Sequence, residues 1–180
     1  METRPLGRSG PRVTAIGICP GEGPRREEVI RRALALGCRL FGSERAVGGA
    51  VALPADLREG YDLVRYNLLD HREANARIPV LVREGKGVIA AHVLAGGGLA
   101  GRPDADRAAR VAELRPLVRP GRTLAQAAVQ FVLANESVSA AMVRISDPAR
   151  LDEILGALEA PPLGGSDLEL IFEAWANRFG

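Results

Sequence analysis

The chain has 180 residues, of which 47% are hydrophobic, and its formal net charge is only +2. This composition is typical of one globular domain with a substantial core and excludes a disordered tail. Residues 1–8 are polar and no run reaches the roughly 18 apolar residues that a bilayer span needs, so we expect neither a signal peptide nor a membrane partner, and a cytoplasmic protein.

The charged, aromatic and sulfur-containing residues argue against a nucleic-acid partner and against a metal site. Lys86 is the only lysine, the arginines are dispersed among carboxylates, and aromatic residues make up 4% of the chain, so we expect no nucleic-acid partner. Cys19 and Cys38 lack metal-ligand spacing with His71 or His92. Both cysteines are therefore expected to be ordinary buried thiols, and no metal site is expected.

The first third of the chain alternates β-prone and amphipathic runs. Residues 13–19 predict a strand, and a turn rich in proline and glycine separates it from a helix that Gly37 ends. Residues 39–43 predict a short second strand, whereas residues 46–55 are rich in glycine and alanine and have no period. Residues 61–68 predict a third strand.

The alternation continues to the end of the chain. A helix is predicted around residues 78–84, a fourth strand at 88–94, a loop at 96–101 and a fifth strand at 139–145. Three helix starts carry capping signals, which are Thr123 with Gln126, Asp147 before Pro148, and Ser166 with Glu169. Alternating strands and helices favour a parallel α/β arrangement.

Several short motifs cover most of the chain in a fixed order. They are LGRSG at 6–10, VTAIG at 13–17, ALGCRLF at 35–41, YNLLD at 66–70, LAGG at 94–97, TLAQAA at 123–128, FVL at 131–133 and the closing stretch 148–162. In this order the motifs resemble those of bacterial aldo-keto reductases. The resemblance implies the (β/α)₈ barrel of that family.

Such a barrel typically needs about 250 residues, so this chain is too short for all eight strands. Residues 1–49 resemble the family's first two strands and residues 61–180 its last three, which leaves a deletion junction near 50–60. We therefore expect a single α/β domain over residues 1–180, an incomplete or remodelled (β/α)₈ TIM-barrel-like fold of about five parallel strands with an N-terminal β-hairpin.

A sheet of five strands would have open edges near Phe41 and Tyr61. A second copy of the chain is the expected cover, because two-fold dimers are the commonest oligomers. We therefore predict a homo-oligomer, in the first place a homodimer, with residues 46–55 at or near the interface.

The resemblance also implies that the reductive chemistry is lost. Where the family has Phe-Asp-Thr-Ala-x-x-Tyr-Gly, residues 41–48 place Gly42 at the aspartate and Val47 at the catalytic tyrosine. The family's lysine and histidine fall in the missing part, and Leu63 stands where a glutamine would bind the nicotinamide. We expect a non-reductive pseudoenzyme or an accessory subunit that binds a small molecule or NADP.

The phosphate end of the cofactor site is better preserved. A glycine-rich loop and a basic run resemble the segments that hold the pyrophosphate and the 2′-phosphate of NADP(H), although such loops and arginines are also common as plain surface features. We expect NADP(H) binding to be weak or lost. The matching residues are Leu94, Gly96, Gly97, Arg144, Arg150 and Glu153.

Two histidines lie at the ends of predicted strands, on the side where barrel active sites form. His92 and His71 are the candidate catalytic residues for proton transfer, with Tyr66, Asn67 and Arg65 as a candidate substrate pocket, although a lone histidine is more often structural. They support an alternative function, a redox-neutral cyclase or isomerase. A third alternative is an oxidoreductase that a partner chain completes. The sequence names no substrate for any of these functions.

Overall fold

A computed structural model of the chain describes residues 1–42, 51–52, 60–101 and 103–176. The chain begins with an antiparallel hairpin and then alternates parallel strands with helices. The strands are β1 (Thr3–Pro5), β2 (Arg12–Thr14), β3 (Ile16–Pro20), β4 (Leu40–Phe41), β5 (Val51–Ala52), β6 (Tyr61–Arg65), β7 (Gly87–Ala91) and β8 (Ala140–Ile145). The helices are α1 (Arg26–Ala35), α2 (Arg72–Arg83), α3 (Ala105–Glu113), α4 (Leu124–Leu133), α5 (Ala149–Leu155) and α6 (Gly165–Ala174), with 3₁₀ turns at Ala95–Ala100, Arg115–Leu117 and Gly156–Leu158.

The main sheet has the strand order β5-β4-β3-β8-β7-β6, and every pairing in it is parallel. The first strand of the sheet, β3, lies beside the last, β8, with Ile16 opposite Ala141. This is the neighbour relation of a closed barrel, but in the described residues β5 and β6 have no further neighbour. The five predicted strands and the hairpin are confirmed, and the two residues of β5 add a sixth strand to the sheet.

Strand alternation divides the apolar residues between two cores. Successive side chains of a strand point to opposite faces, so in β8 Val143 packs toward the helices and Met142 toward the inner side of the curved sheet. The outer core is the larger of the two. Hairpin residues help to fill the inner one at the amino-terminal ends of the strands, and its buried members are Leu6, Val13, Leu40, Tyr61, Ile89, Ala140 and Met142.

Two of the three predicted helix starts are confirmed. The N–H of Gln126 donates to Thr123 Oγ1 at 3.2 Å while Gln126 Oε1 accepts from the Thr123 N–H at 2.9 Å, which is a complete capping box. Asp147 Oδ1 accepts a hydrogen bond from the Ala149 N–H at 3.1 Å. The side chains therefore satisfy N–H groups that the helices leave free at their starts.

The third predicted start is wrong by two residues. Helix α6 is capped at Gly164, not at Ser166, and the acid that bonds the Gly164 N–H is Asp167. Asp167 is buried because Arg119 and Arg122 bind its carboxylate. The contact with these arginines therefore favours Asp167 over Glu169 as the acid that caps α6.

Candidate functional site

The carboxyl ends of the strands and the loops that follow them are the region where barrel proteins place their sites. In β6, Tyr61 belongs to the inner core whereas Val64 and Tyr66 belong to the outer core. Alternation therefore puts Leu63 and Arg65 on the inner face. The same rule gives the described inner face at this end of the sheet, which consists of Cys19, Gly42, Leu63, Arg65, Ala91, Met142 and Arg144.

Arg65 and Arg144 are the charged residues of this inner face, and both are exposed. Arg65 pairs in register with Ala91 of β7, and Arg144 with Cys19 of β3. Within the described ranges neither guanidinium forms an ion pair. The inner face thus ends in two positive charges above small and apolar side chains.

Tyr66 and Asn67 take structural positions. The Tyr66 ring is buried in the outer core with its centroid 5.2 Å from that of Phe131, and burial raises the pKa of Tyr66 although a hydrogen bond with Asn135 opposes this. Asn67 Oδ1 accepts hydrogen bonds from the N–H groups of the next turn, including that of Leu69 at 2.9 Å. Of the three predicted pocket residues, the structure places only Arg65 on the inner face.

His71 lies in the outer layer, packed against helix α6. Its ring stacks on Trp175 with the centroids 3.4 Å apart, and Trp175 Nε1 donates to the Leu68 carbonyl at 2.8 Å. The Nδ1 atom of His71 is buried and has no hydrogen-bond partner in the described structure. Burial lowers the pKa of His71, the charge of Asp70 raises it and that of Arg72 lowers it, and the net shift is downward.

His92 directly follows β7, and its side chain is exposed. Its backbone has φ +57°, a conformation that few residues other than glycine adopt, and its carbonyl accepts from the Ala95 N–H at 2.8 Å. No hydrogen bond or ring contact joins His92 to His71 across the described part of the chain. The two predicted catalytic histidines therefore occupy different surroundings.

The glycine-rich loop after β7 contains short 3₁₀ turns on either side of a kink at Gly96 and Gly97, where the backbone is not helical. Gly96 has φ +69° and Gly97 has φ +96°, so the backbone reverses here in a way that requires glycine. Arg107 of α3 donates to the Ala95 carbonyl at 3.2 Å and holds the start of this turn. Sequence patterns missed Arg107, because its partner is a backbone carbonyl 12 residues away and no side-chain motif marks such a contact.

Arg150 connects the glycine-rich turn to α5. Its Nη2 donates to the Ala100 carbonyl at 2.8 Å, and its Nη1 bonds Glu153 Oε2 at 3.1 Å. The structure therefore brings together the predicted loop, Arg150 and Glu153. Arg144 lies apart from them, on the inner face of β8.

Asp147 precedes α5 and would repel an anion bound nearby. In the structure its Oδ1 lies 3.1 Å from Nη1 of Arg25, which approaches from the start of α1. Arg25 also pairs with Glu28 through its Nε at 3.3 Å, so one exposed guanidinium serves two carboxylates and offsets the charge of Asp147 only in part. Arg25 carries no sequence signal for this role, since it is separated from Asp147 by most of the chain.

A cleft of about 610 Å³ lies at the opposite, amino-terminal end of the sheet, between the hairpin and the start of β8. Its Arg4 is bonded to Glu2 and to the Val138 carbonyl. Nothing predicted for function lies there. No group of three or more potential metal ligands occurs among the described residues, and none of their helices has the length and apolar character that crossing a bilayer requires.

Comparisons with known proteins agree with this architecture. A model of the aldo/keto reductase family matches residues 62–176. The fold is similar to that of the holo form of aldo-keto reductase AKR11C1 from Bacillus halodurans, with a TM-score of 0.76, 15% identity, and 97% of this chain and 96% of that chain covered. The apo form gives a TM-score of 0.72 with 16% identity over the same shares. A search of curated proteins gave no match.

Proposed function

Because the chain belongs to the aldo/keto reductase family, we propose that it is a non-reductive member that binds NADP(H), weakly, by its phosphate end. One contrast carries the proposal. The phosphate end of the described site is held in place by Arg150 and Arg107, whereas the inner face at the carboxyl ends of the described strands contributes no carboxylate, tyrosine or lysine, since Tyr61 lies at the opposite end of β6. A carbonyl group would therefore find little acid catalysis on this wall.

The phosphate end supports binding through its backbone geometry. Positive φ angles at Gly96 and Gly97 allow a ligand to approach the backbone closely, because no Cβ atom stands in the way. Arg150 fixes the far end of this turn through the Ala100 carbonyl.

The nicotinamide end supports the loss of reduction. Carbonyl reduction requires a group that protonates the substrate oxygen while hydride is transferred. At the end of β4, Gly42 stands on the inner face where the family resemblance expects an aspartate, and a Cβ at Gly42 would lie 3.3 Å from that of Cys19. Leu63 stands inward where the resemblance expects an amide. Val47, the replacement for the tyrosine, lies outside the described residues.

Calorimetry with NADPH tests the binding half of the proposal. We expect weak heat from the unmodified protein and a clear loss when Arg150, which bonds the glycine-rich turn, is changed to Ala, because guanidinium–phosphate bonds are stronger than neutral ones. A change of exposed Arg83 to Ala is the control for lost positive charge. No heat at millimolar NADPH from folded protein would contradict this half.

A reduction assay tests the other half. NADPH oxidation with a panel of aldehydes and quinones should stay at the rate of the protein-free reaction. Turnover above that rate would contradict the proposal and favour the alternative in which a partner chain supplies the missing groups.

The acid–base alternative has one observation in its favour, which is the lowered pKa of His71 together with a buried Nδ1 that has no hydrogen-bond partner among the described residues. A neutral imidazole can accept a proton. This alternative predicts that a small enolisable ligand lodges near His92 and that His92→Asn abolishes turnover without unfolding the protein. A bound ligand located far from His92 would contradict the acid–base alternative.

A further inference from the structure

We propose that Arg65 and Arg144 together bind the carboxylate of a small organic acid whose apolar part lies against the inner wall of the sheet. This inference rests on the proposed function, since it names the ligand class for the inner end of the same site. It is carried by where the strands place the two arginines, by their charge surroundings and by the wall beside them.

Strand register brings both arginines to one face. Leu63 packs on the inner core two residues before Arg65, and Met142 does so two residues before Arg144. Val64 and Val143, between these positions, pack on the outer core. Arg65 and Arg144 therefore leave their strands on the same, inner side.

The separation of the two residues suits a shared ligand. Strand β7 lies between β6 and β8, with Ala91 opposite Arg65 and Ala90 opposite Ala141. Arg144 therefore starts two strands across and about two residues further along, which puts the Cα atoms roughly 12 Å apart. The long side chains of Arg65 and Arg144 can converge over Ala91. The small Ala91 side chain leaves room for a carboxylate between the two guanidinium groups.

The two charged residues of β6 have different surroundings. Asp62 points outward and is paired with Arg77 of α2. Arg65 has no acidic partner in the described structure, and the described inner face contains no carboxylate. Two guanidinium groups at one rim, neither paired with an acid in the described ranges, attract an anion, and each can bind a carboxylate through two parallel N–H donors.

The wall below the arginines selects among anions. Leu63 and Cys19 are half-buried and Met142 is buried, so apolar surface continues from the rim into the inner core. An inorganic anion would leave this surface wet. An acid with a short aliphatic or aromatic body would cover it and gain about 25 cal/mol for each Å² removed from water.

Benzoate, hexanoate and benzamide are the probes for this site. Calorimetry should show binding of both acids and none of benzamide, which has the same shape as benzoate without the charge. Arg65→Gln should weaken benzoate binding at least about tenfold. Arg31→Gln, which changes an exposed arginine of α1, should leave it unchanged.

Thiol labelling gives an independent readout. Cys19 lies beside Arg144 in register, so bound benzoate should slow its alkylation by a neutral reagent. Cys38 is fully buried and bonded to the carbonyls of Ile16 and Leu40, which makes it an internal control for unfolding. Unchanged Cys19 labelling at a benzoate concentration that gives heat would place the acid elsewhere and overturn the inference.

Other outcomes also separate the two proposals. The assignment of the arginines would be overturned if the protein bound benzoate and benzamide equally well. It would also be overturned if the Arg65→Gln variant bound benzoate as tightly as the unmodified protein. Tighter binding of inorganic phosphate than of benzoate would overturn the ligand class. NADPH binding without acid binding would overturn this inference and leave the proposed function standing, and the reverse result would overturn NADP(H) binding alone.

Discussion

At the scale of single residues, burial decides what an ion pair is worth. Arg122 and Asp167 retain only 1% and 7% of their side-chain exposure, and Arg122 also donates to the carbonyls of Leu117, Pro161 and Pro162. Burial raises the pKa of Asp167, but the Gly164 N–H, Arg122 and Arg119 lower it on balance. The carboxylate therefore contributes stability above the unfolded pKa near 4, and this is lost as the pH falls through the folded value.

Asp167→Ala should lower the free energy of unfolding by about 3–5 kcal/mol, because it leaves Arg122 as a buried charge without its partner. Urea unfolding followed by circular dichroism measures the change. The control is Asp152→Ala, whose pair with Arg32 is about half exposed on both sides, and its cost should be much smaller than that of Asp167→Ala. Equal costs for the two variants would contradict the assigned role of burial.

His71 should make the protein less stable in mild acid. Its folded pKa is lowered by burial, so the unfolded chain binds the proton better and the free energy of unfolding falls as the pH drops below about 6.5. The stability is complete above that value. His71→Phe retains stacking on Trp175 and should flatten this dependence, which unfolding curves read by the fluorescence of the single tryptophan can measure.

His92→Asn is the matched control, because the His92 side chain is exposed. It should keep the pH dependence of the unmodified protein. Parallel stability curves for the protein and its His71→Phe variant would show that the stack does not sense protonation.

At the scale of elements, the turn after β7 links three parts of the molecule. Arg107 of α3 holds its start and Arg150 of α5 holds its end, and the glycines between them carry the reversal. The positive φ angles of Gly96 and Gly97 define the shape of this turn. Glycines in it should therefore differ in their tolerance of substitution according to φ.

Gly97→Ala should destabilise the protein by about 1–2 kcal/mol and weaken NADPH binding, because Gly97 has φ +96°. Gly98→Ala is the control, since a Cβ there would meet its nearest neighbour, Pro103 Cα, at an ordinary 3.7 Å. Thermal unfolding and calorimetry on both variants make the comparison. Equal tolerance at both positions would mean that the turn can relax and that its shape does not determine binding.

At the scale of the whole molecule, the described sheet has barrel order without barrel closure. On β6, the backbone groups of Asp62 and Val64 pair with β7, so those of Leu63 face the open side. The Leu63 N–H donates to Asp62 Oδ1 at 2.8 Å. This donor, in the middle of β6, is therefore not free to pair with a further strand at this edge. The residues 46–55 of the predicted interface lie outside the described residues, except for the backbone of Val51–Ala52.

We expect a homo-oligomer, in the first place a homodimer, that covers the β5 side of the sheet, because the β6 side already carries its own block. Light scattering behind a sizing column should give a mass of at least twice the chain mass of 19.1 kDa. Asp62→Ala should not abolish the oligomer. A mass near that of one chain at micromolar concentration would contradict the oligomer.

The sequence by itself determined the family, the five main parallel strands and two of three helix caps, because these depend on local period and on motifs within a few residues. Tertiary structure decided which acid caps α6, since Asp167 is selected by Arg122, about 45 positions away. It also put Tyr66 and Asn67 into structural roles and Arg65 on the inner face. Alternation along a strand can be read from sequence, but which face is inner depends on how the sheet curves and what packs on each side.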